Sequence, residues 1–446
     1  MIIRCLLLFA LSLFFNGSTL VAQDVLTQPG KPNIELLEEI DESERTTSVE
    51  QLNLPIEPTQ AHECFGFNLI EAINSYSPPS MLRSPTEVFN SLEELQKAIN
   101  AKADHDGAVF QLAGGVYNFT GTGIEINNRR NLTIYSDPSN RAVLDGQDSG
   151  NFGLLVKETV TGSTDNIEVM GFEVTRTRFH AIFVGSDSFG TTAGSDIYVA
   201  NNYVHDAANK SGAGITIRNA RGTGNVTVEG NEVTRIDMDG IGGGRGEGIY
   251  VGQGNNSAHY SQNVTIRGNY IHDLNGEAID VKRASRDVLI EYNKANNISV
   301  FSQGAFALAL DNLQPQDYQS DITVRRNIIS NVKTLAFNGN AIVVAGDSII
   351  EENLIFNVAK DAIDIYDDAT GPNKKVVLRN NIVWNYGGQP FRENVETGNG
   401  GPHNPFSIER IENIVQSDPG QTDCQVVPDT FVGPLSKSDG FTPSSK

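Results

Sequence analysis

The segment at residues 277–282, Glu-Ala-Ile-Asp-Val-Lys, carries three groups that can do acid–base or metal chemistry. Glu277, Asp280 and Lys282 offer two carboxylates and one amine. Alternation along an extended strand predicts that Asp280 and Lys282 point to the same face. Carboxylate oxygens are the ligands that Ca²⁺ prefers, and a lysine that has lost its proton is a general base. Glu247 opens a similar segment earlier in the chain.

The elements that would position these groups are short strands that recur along the chain. Seven segments have the form apolar-x-apolar-x-x-Asn, and they end at Asn202, Asn231, Asn269, Asn293, Asn327, Asn353 and Asn381. A second strand that opens with a small residue recurs between them, at 181–184, 214–217, 248–251, 278–281, 305–308, 341–344 and 362–365. Constant strands at variable spacing are typical of solenoid coils with loops of different length. Leucine-rich repeats would need regular lengths and many leucines, and a β-sandwich would show no such register. The chain is therefore predicted to be all-β, a right-handed parallel β-helix with an internal asparagine ladder.

Aligning the small-residue strands predicts three columns of outward side chains. The columns are Ala213, Glu247, Glu277, Gly304, Asn340 and Asp361; Thr216, Tyr250, Asp280, Ala307, Val343 and Asp364; and Arg218, Gly252, Lys282, Ala309, Ala345 and Tyr366. Adjacent coils are about 4.8 Å apart, so Glu247 and Glu277 would face each other beside Asp280 and Lys282. Stacked carboxylates repel unless a cation or a proton joins them. The predicted cation is Ca²⁺, with Glu247, Glu277 and Asp280 as ligands. The alternative is an exposed strand with ordinary solubilising charges.

Three regions are predicted along the chain. Residues 1–22 have a short apolar run after Arg4 and are predicted to be a signal peptide, which implies secretion to the outside or the periplasm. Residues 23–63 are acidic and proline-rich, as in a disordered linker. Residues 64–446 would form the β-helix domain with an N-terminal cap and an irregular C-terminal tail.

Two features of this last region can be predicted further. Ser91 opens a capping-box pattern, so a short helix should cover the first coil. Cys64 and Cys424 are either paired or two free thiols.

The amino-acid composition excludes some classes of binding partner. The 446 residues carry a formal net charge of −22, which argues against nucleic acid, and no later apolar stretch is long enough to span a membrane. The acidic balance is unfavourable for a polyanionic substrate unless a cation bridges the two. We expect a monomer.

The N-terminal passage at 91–99 and 109–117, with Ile124-Glu125-Ile126, Leu132-Thr133-Ile134 and Val143-Leu144-Asp145-Gly146, resembles the opening of pectate-lyase-like β-helix proteins. It is similar in particular to the chondroitinase B and alginate lyase family, over roughly residues 90–386. The resemblance implies β-elimination on an acidic polysaccharide, with Lys282 as base and Glu277 as calcium ligand. Glu247 stands where a ligand from the neighbouring coil is expected. The family's arginine, one coil onward, has no counterpart at 305–311. Arg218, Arg283 or Arg286 are the candidates to replace it.

Other assignments remain open at this stage. Tyr250, Asp280 and Tyr366 are candidate substrate contacts. A glycoside hydrolase on the same fold would use two carboxylates among Asp237, Asp239 and Glu247, and a wall-binding or adhesive β-helix would use none. His205 and His272 occupy matching places, which favours a structural role, and His180 is a weaker candidate base. Asp364, Asp367 and Asp368 are candidates for another acidic site, but they are interpreted as a solvated turn.

Overall fold

The computed structural model describes a set of segments separated by gaps. They are Ile73 and residues 75–78, 84–159, 162–185, 193–209, 212–220, 224–238, 246–253, 260–282, 285–300, 304–310, 321–334, 339–367, 374–395, 406–416, 425–426 and 430–432. The chain divides into two units, Met1–Leu52 and Asn53–Lys446, and all described residues belong to the second. The predicted signal peptide and linker, Cys64 and Cys424 lie outside the described residues. None of the described helices is long and apolar enough to cross a membrane.

Three long sheets contain all of the described strands, which are numbered in chain order. Sheet I has thirteen strands, in the spatial order β1 Glu87–Phe89, β2 Asp104–Leu112, β5 Arg130–Ser136, β8 Asp165–Met170, β11 Ser195–Ala200, β14 Val226–Glu229, β17 Gln262–Arg267, β20 Arg286–Glu291, β23 Ile322–Arg325, β26 Ser348–Glu351, β29 Lys374–Arg379, β32 Phe406–Ile411 and β35 Thr430–Val432.

Sheet II has twelve strands. Their spatial order is β3 Gly115–Asn118, β6 Ala142–Asp145, β9 Glu173–Thr175, β12 Tyr203–Ala207, β15 Glu232–Ile236, β18 Tyr270–Leu274, β21 Lys294–Val300, β24 Ile328–Thr334, β27 Leu354–Val358, β30 Ile382–Tyr386, β33 Ile414–Gln416 and β34 Gln425–Val426.

Sheet III has ten strands and carries the small-residue segments. From the N-terminal end they are β4 Thr122–Asn127, β7 Phe152–Lys157, β10 His180–Gly185, β13 Ala213–Arg218, β16 Glu247–Val251, β19 Ile279–Lys282, β22 Gly304–Leu310, β25 Asn340–Val344, β28 Ile363–Asp367 and β31 Phe391–Val395.

Each coil runs through sheet I, sheet II and sheet III before it returns to sheet I one strand further on. Neighbouring strands pair in parallel, except where β35 and β34 add antiparallel strands at the C-terminal end. Apolar side chains stack from coil to coil in the interior, for example the fully buried run Ile182, Ile215, Ile249, Ile279, Phe306, Ile342 and Ile363 of sheet III. The prediction of a parallel β-helix is therefore confirmed.

The predicted asparagine ladder lies at the bend between sheets I and II. Each side-chain amide donates to the Oδ1 of the next asparagine at 2.9–3.0 Å, from Asn202 to Asn381 and on to an eighth member, Asn413. The same amides donate to backbone carbonyls of the preceding coil, as Asn293 does to Ile266 at 2.8 Å. The ladder thereby satisfies buried backbone groups at a tight bend, where no regular strand hydrogen bond can form.

A second ladder, of alternating charge, lies on sheet I two residues before six of the asparagines, Asn231 to Asn381. Its pairs are in register from coil to coil and read Glu229, Arg267, Glu291, Arg325, Glu351 and Arg379. Arg267 contacts Glu229 at 2.9 Å and Arg325 contacts Glu291 at 2.8 Å. Because each charge faces the opposite charge on the adjacent coil, the ladder favours this register over any shifted one.

The predicted capping helix is confirmed as α1, Leu92–Ala101, with Ser91 at its N-cap accepting a hydrogen bond from the Glu94 amide. Leu95 and Ile99 are fully buried over the first coil. The Gln96 side chain donates to the Glu125 carbonyl at 2.8 Å and accepts from its amide at 2.9 Å. The Gln96 side-chain amide thus hydrogen-bonds the exposed edge of sheet III, as the backbone of a further strand would.

Replacing Asn293 with alanine is expected to destabilise the fold by about 2–4 kcal/mol, because it leaves several buried donors and acceptors without partners. The Asn269 amides would lose their acceptor and the Ile266 carbonyl its donor. Urea denaturation measures the change. Asn100→Ala, on the exposed face of α1, is the control and should alter stability by a few tenths of a kcal/mol. Equal effects of the two substitutions would contradict this account.

Candidate active site

The columns predicted on sheet III are present in the observed register. Thr216, Tyr250 and Asp280 are paired in succession, and Ala213 pairs with Glu247. The prediction for the third column is wrong at one coil: the register shifts between Val281 and Lys282, so Lys282 pairs with Leu310 and not with Ala309. The irregularity falls directly at the candidate base.

Glu247, Glu277 and Asp280 come together as the column alignment predicts. One carboxylate oxygen from each lies within 4.8 Å of the other two. All three side chains are buried, with 7%, 4% and 1% of their surface exposed. The alternative of a solubilising strand is therefore wrong for these residues, because solubilising charges remain in water.

Burial, reinforced by the carboxylates of Glu277 and Asp280, raises the pKa of Glu247 well above its usual range. The nearby Lys282 amine acts in the opposite direction without reversing the shift. The three buried carboxylates outnumber the two basic groups beside them, Lys282 and Arg218, so the cluster has an excess of negative charge. A proton or a bound cation must compensate for that excess.

Two basic side chains border the carboxylates. Lys282 Nζ lies 2.8 Å from Asp280 Oδ2 and 5.5 Å from the centre of the Tyr250 ring. The Arg218 guanidinium lies 5.6 Å from the centre of the same ring and donates through Nε to the Gly252 carbonyl at 3.4 Å. Arg218 and Lys282 therefore lie near the same Tyr250 ring, although Arg218 belongs to a strand two coils earlier. Burial lowers the pKa of Arg218, whereas Tyr250 and Glu247 act to raise it.

The carboxylate cluster fits a hard divalent cation. Oxygen atoms bound to one Ca²⁺ at about 2.3–2.6 Å can be no more than about 5 Å apart, and the observed spread lies within that limit. All three donors are carboxylate oxygens, the type that Ca²⁺ favours. Glu247, Glu277 and Asp280 would hold the ion, with solvent or substrate oxygens completing its coordination.

An aromatic surface that the sequence analysis did not identify precedes the cluster on sheet III. The rings of His180, Phe152 and Phe183 stack on one another, with His180 6.0 Å from Phe152 and 4.9 Å from Phe183, and the two phenylalanines 5.4 Å apart. Arg218 lies over Phe183 at 5.4 Å. Burial lowers the pKa of His180 to about 3, so this ring is neutral at physiological pH. Its Nδ1 accepts a hydrogen bond from the Ala213 amide. A ring with its lone pair engaged in this way is a poor base.

His205 and His272 have matching contacts on sheet II. Each ring stacks on the tyrosine two residues earlier, at 4.3 and 4.2 Å, and each Nδ1 lies 2.7 Å from the following aspartate. Each Nε2 contacts a glutamate of the preceding coil, at 3.1 and 3.3 Å. These contacts engage both ring nitrogens, as a structural role requires.

The structure describes some of the remaining candidate site residues and not others. Asp237 is buried and Arg286 hydrogen-bonds Gln262, whereas Arg283 and Asp239 lie outside the described residues. Tyr366 pairs with Asn394 through its backbone, and its side chain lies outside the description, like those of Asp367 and Asp368. The prediction of a solvated turn is wrong for Asp364, whose side chain is 5% exposed.

Comparison with known proteins identifies the architecture. A family model described as "Right handed beta helix region" matches residues 243–383. No protein with a curated description matches the sequence. The structure of an alginate lyase from Paenibacillus sp. str. FPU-7 is similar, with a TM-score of 0.51 and 17% identity, over 69% of this chain and 98% of that one.

Two further solved structures are more distant. Pectate lyase Pel9A has a TM-score of 0.44 and 16% identity, over 75% of this chain and 79% of its own. PfbA, a surface adhesin of Streptococcus pneumoniae, has a TM-score of 0.47 and 13% identity, over 73% of this chain and 86% of its own. The predicted resemblance to β-helix polysaccharide lyases is confirmed at the level of the fold. The sheet topology, the family model and the alginate lyase structure together show that this chain is a right-handed parallel β-helix protein.

Proposed function

We propose that this protein is a secreted polysaccharide lyase that cleaves a uronate-containing polysaccharide by β-elimination. The observation that carries the proposal is the meeting of Glu247, Glu277 and Asp280 with Lys282 on the outer face of sheet III. Buried charge of this density destabilises a fold unless a ligand or a reaction uses it. The alginate lyase named above shares the fold, and the activity in its name is consistent with this chemistry.

In the proposed reaction Lys282, as the free amine, removes the proton at C5 of a uronate. The electron pair of the broken C–H bond forms the C4–C5 double bond, and the glycosidic C4–O bond breaks. The departing oxygen takes a proton from water, and the Lys282 ammonium gives its own proton to the hydroxide so formed, so the products are a new saccharide end with a hydroxyl and an unsaturated uronate. Asp280, 2.8 Å from the amine, orients it and stabilises it once it has gained the proton.

The C5 proton becomes acidic only when the charge of the adjacent uronate carboxylate is neutralised. A divalent cation bound by the three carboxylates would supply that neutralisation when present. Arg218 is the second positive group within reach, because it and Lys282 flank the same Tyr250 ring. We therefore assign to Arg218 the role of the family's arginine, which has no counterpart at 305–311. The Tyr250 ring keeps Arg218 and Lys282 apart.

Screening alginate, pectate, chondroitin sulfate and ulvan, each with and without a chelator, tests the proposal. A lyase produces a conjugated double bond, which absorbs in the ultraviolet, together with new reducing ends in equal number. Ultraviolet absorbance from at least one polymer is the expected result. Reducing ends without absorbance indicate a hydrolase, and neither product, with retained binding, indicates an adhesive protein.

A glycoside hydrolase is the second candidate, and one observation favours it. Glu247 has a raised pKa beside two other carboxylates, as the general acid of a hydrolase does. Retaining hydrolases place their two carboxyl groups about 5–5.5 Å apart, close to the spread seen here. Lys282, bound to Asp280, is unexplained by that mechanism, which is why we rank the lyase first.

A further inference from the structure

Side-chain contacts join each pair of neighbouring coils along sheet II, from the coil of β6 to the coil of β21. These sheet II links are, in order, Asp145–Arg176, Glu173–His205, Asp206–Arg235, Glu232–His272 and Asp273–Asn297. Three of the linked strands, β12, β15 and β18, lead in the chain to β13, β16 and β19 of sheet III. Those strands carry Arg218, Glu247 and Lys282, so the links hold together the coils that form the candidate active site.

Two of the links pass through histidine rings whose nitrogens both face carboxylates. His205 Nδ1 lies 2.7 Å from Asp206 Oδ2, and its Nε2 lies 3.1 Å from Glu173 Oε1. A neutral imidazole has a single N–H, so its other nitrogen would direct a lone pair at a carboxylate oxygen. Both contacts are hydrogen bonds only when the ring is protonated. His272 repeats the arrangement two coils later, with contacts of 2.7 and 3.3 Å.

The charges around His205 favour its protonated form. Glu173 and Asp206 supply two negative charges. Arg235 supplies one positive charge, with its Nη2 3.5 Å from His205 Nδ1 and two hydrogen bonds of 2.8 Å to Asp206. A protonated ring brings the sum of these four groups to zero, whereas a neutral ring leaves one negative charge in excess. The other charged or titratable groups nearby are Tyr203, which stacks on the ring, Asp145, which bonds Arg176, and Arg141, near Glu173.

His272 lies among similar charges. Glu232 and Asp273 supply two negative charges, and Asn297 donates to Asp273 without adding a charge. The other charged or titratable groups near these two carboxylates are Arg235, Tyr270 and Arg141. Burial alone would lower the pKa of both histidines, but their bonds to the carboxylates outweigh burial and raise it.

We propose that His205 and His272 are protonated staples between coils, a pH-sensitive device that weakens the solenoid as the solution becomes alkaline. A ring that loses its proton keeps one N–H, and the shorter contact to the adjacent aspartate retains it. The bond that is lost is the longer one, to Glu173 or Glu232 of the preceding coil. This inference is independent of the reaction proposed above.

The direction of the pH effect follows from the raised pKa values. Both histidines bind their proton more tightly in the folded state than in the unfolded chain, where the usual pKa is about 6.5. The stabilising contribution of the staples is therefore complete below that pH. It disappears as pH rises through the folded pKa.

Nuclear magnetic resonance of the full chain with ¹⁵N-labelled histidine rings tests the charge state directly. Substitution of each histidine by glutamine in turn assigns the signals of the seven rings. At pH 6.5 an ordinary histidine is about half protonated, and His205 and His272 should be protonated well beyond half. His180, whose Nδ1 accepts from the Ala213 amide, should be neutral in the same spectrum. Half protonation or less at both His205 and His272 would overturn the proposal.

The dependence of Tm on pH tests the staples as a device. The variant with both His205→Gln and His272→Gln should have a lower Tm than the unsubstituted protein in mild acid, and the difference should shrink towards zero as pH rises to about 9. All other titrating groups are common to the two proteins, so the difference isolates the two rings. If the double variant does not fold, each single variant should show a smaller difference that shrinks in the same way.

His105→Gln is the matched control. His105 is also buried, at 5% exposed, but its Nε2 contacts the backbone carbonyl of Ile99 at 3.0 Å. Its loss should lower Tm by the same amount at every pH. A Tm difference that stays constant with pH in the staple variants, as in this control, would show that the two histidines only fill space.

Discussion

Replacing Lys282 by alanine is expected to reduce β-elimination by about a hundredfold to ten-thousandfold, the usual contribution of a general base. The amine is the proposed acceptor of the C5 proton, and Asp280, its partner at 2.8 Å, cannot substitute for it while it is held in the carboxylate cluster. The initial rate of ultraviolet absorbance on the preferred polymer measures the loss. Binding of that polymer should persist, because the substitution removes the base and leaves the carboxylates and Arg218 in place.

Lys157→Ala is the matched control for this substitution. Lys157 also lies on sheet III and forms an ion pair with Glu125 at 2.9 Å, but it belongs to a strand four coils before Lys282. Its loss should change the rate by less than about twofold, since partly exposed ion pairs contribute little. Full activity in the Lys282→Ala protein, or equal losses in both variants, would show that Lys282 is not the base.

The asparagine and small-residue segments made the solenoid predictable from the sequence. An asparagine at the same place in successive repeats of irregular length predicts the hydrogen-bonded ladder observed from Asn202 to Asn413. Equivalent strands then had to stack, which placed Glu247 and Glu277 on adjacent coils. The site's carboxylates were predictable because they lie on regular strands whose register the interior fixes.

Features that depend on irregular backbone or on neighbouring coils were not predictable in the same way. The shift between Val281 and Lys282 is a local irregularity, and alternation alone cannot reveal it. Outward side chains on a strand are expected to be exposed, yet Asp280 and Arg218 are 1% and 8% exposed. Asp280 and Arg218 are buried by residues outside their own strands. Asp364 was misassigned for the same reason, since its neighbours Asn340 and Arg392 are distant in sequence.

Calcium is expected to raise the thermal stability of the protein, and the gain should increase with pH. The folded state holds Glu247 with a raised pKa, so without a cation its stabilising contribution is complete below the unfolded pKa and disappears as pH rises through the folded pKa. A cation bound at the same carboxylates competes with that proton. At higher pH no proton has to be displaced, so calcium binds more tightly and its stabilising effect is larger.

The size of this effect follows from mass action and can be measured without any assay of activity. Calcium at about a hundred times its dissociation constant should stabilise the fold by about 2.7 kcal/mol, seen as an increase in Tm that a chelator reverses. Glu277→Gln should remove most of the increase, because it replaces one of three ligands by an amide. Glu351→Gln, on sheet I, is the control: Glu351 is also buried, at 8% exposed, but its carboxylate bonds Arg379. That variant should have a lower Tm and the full calcium response. A response that survives Glu277→Gln, or that is larger in acid than at neutral pH, would place the cation elsewhere, and Arg218 would then be left as the group that neutralises the uronate.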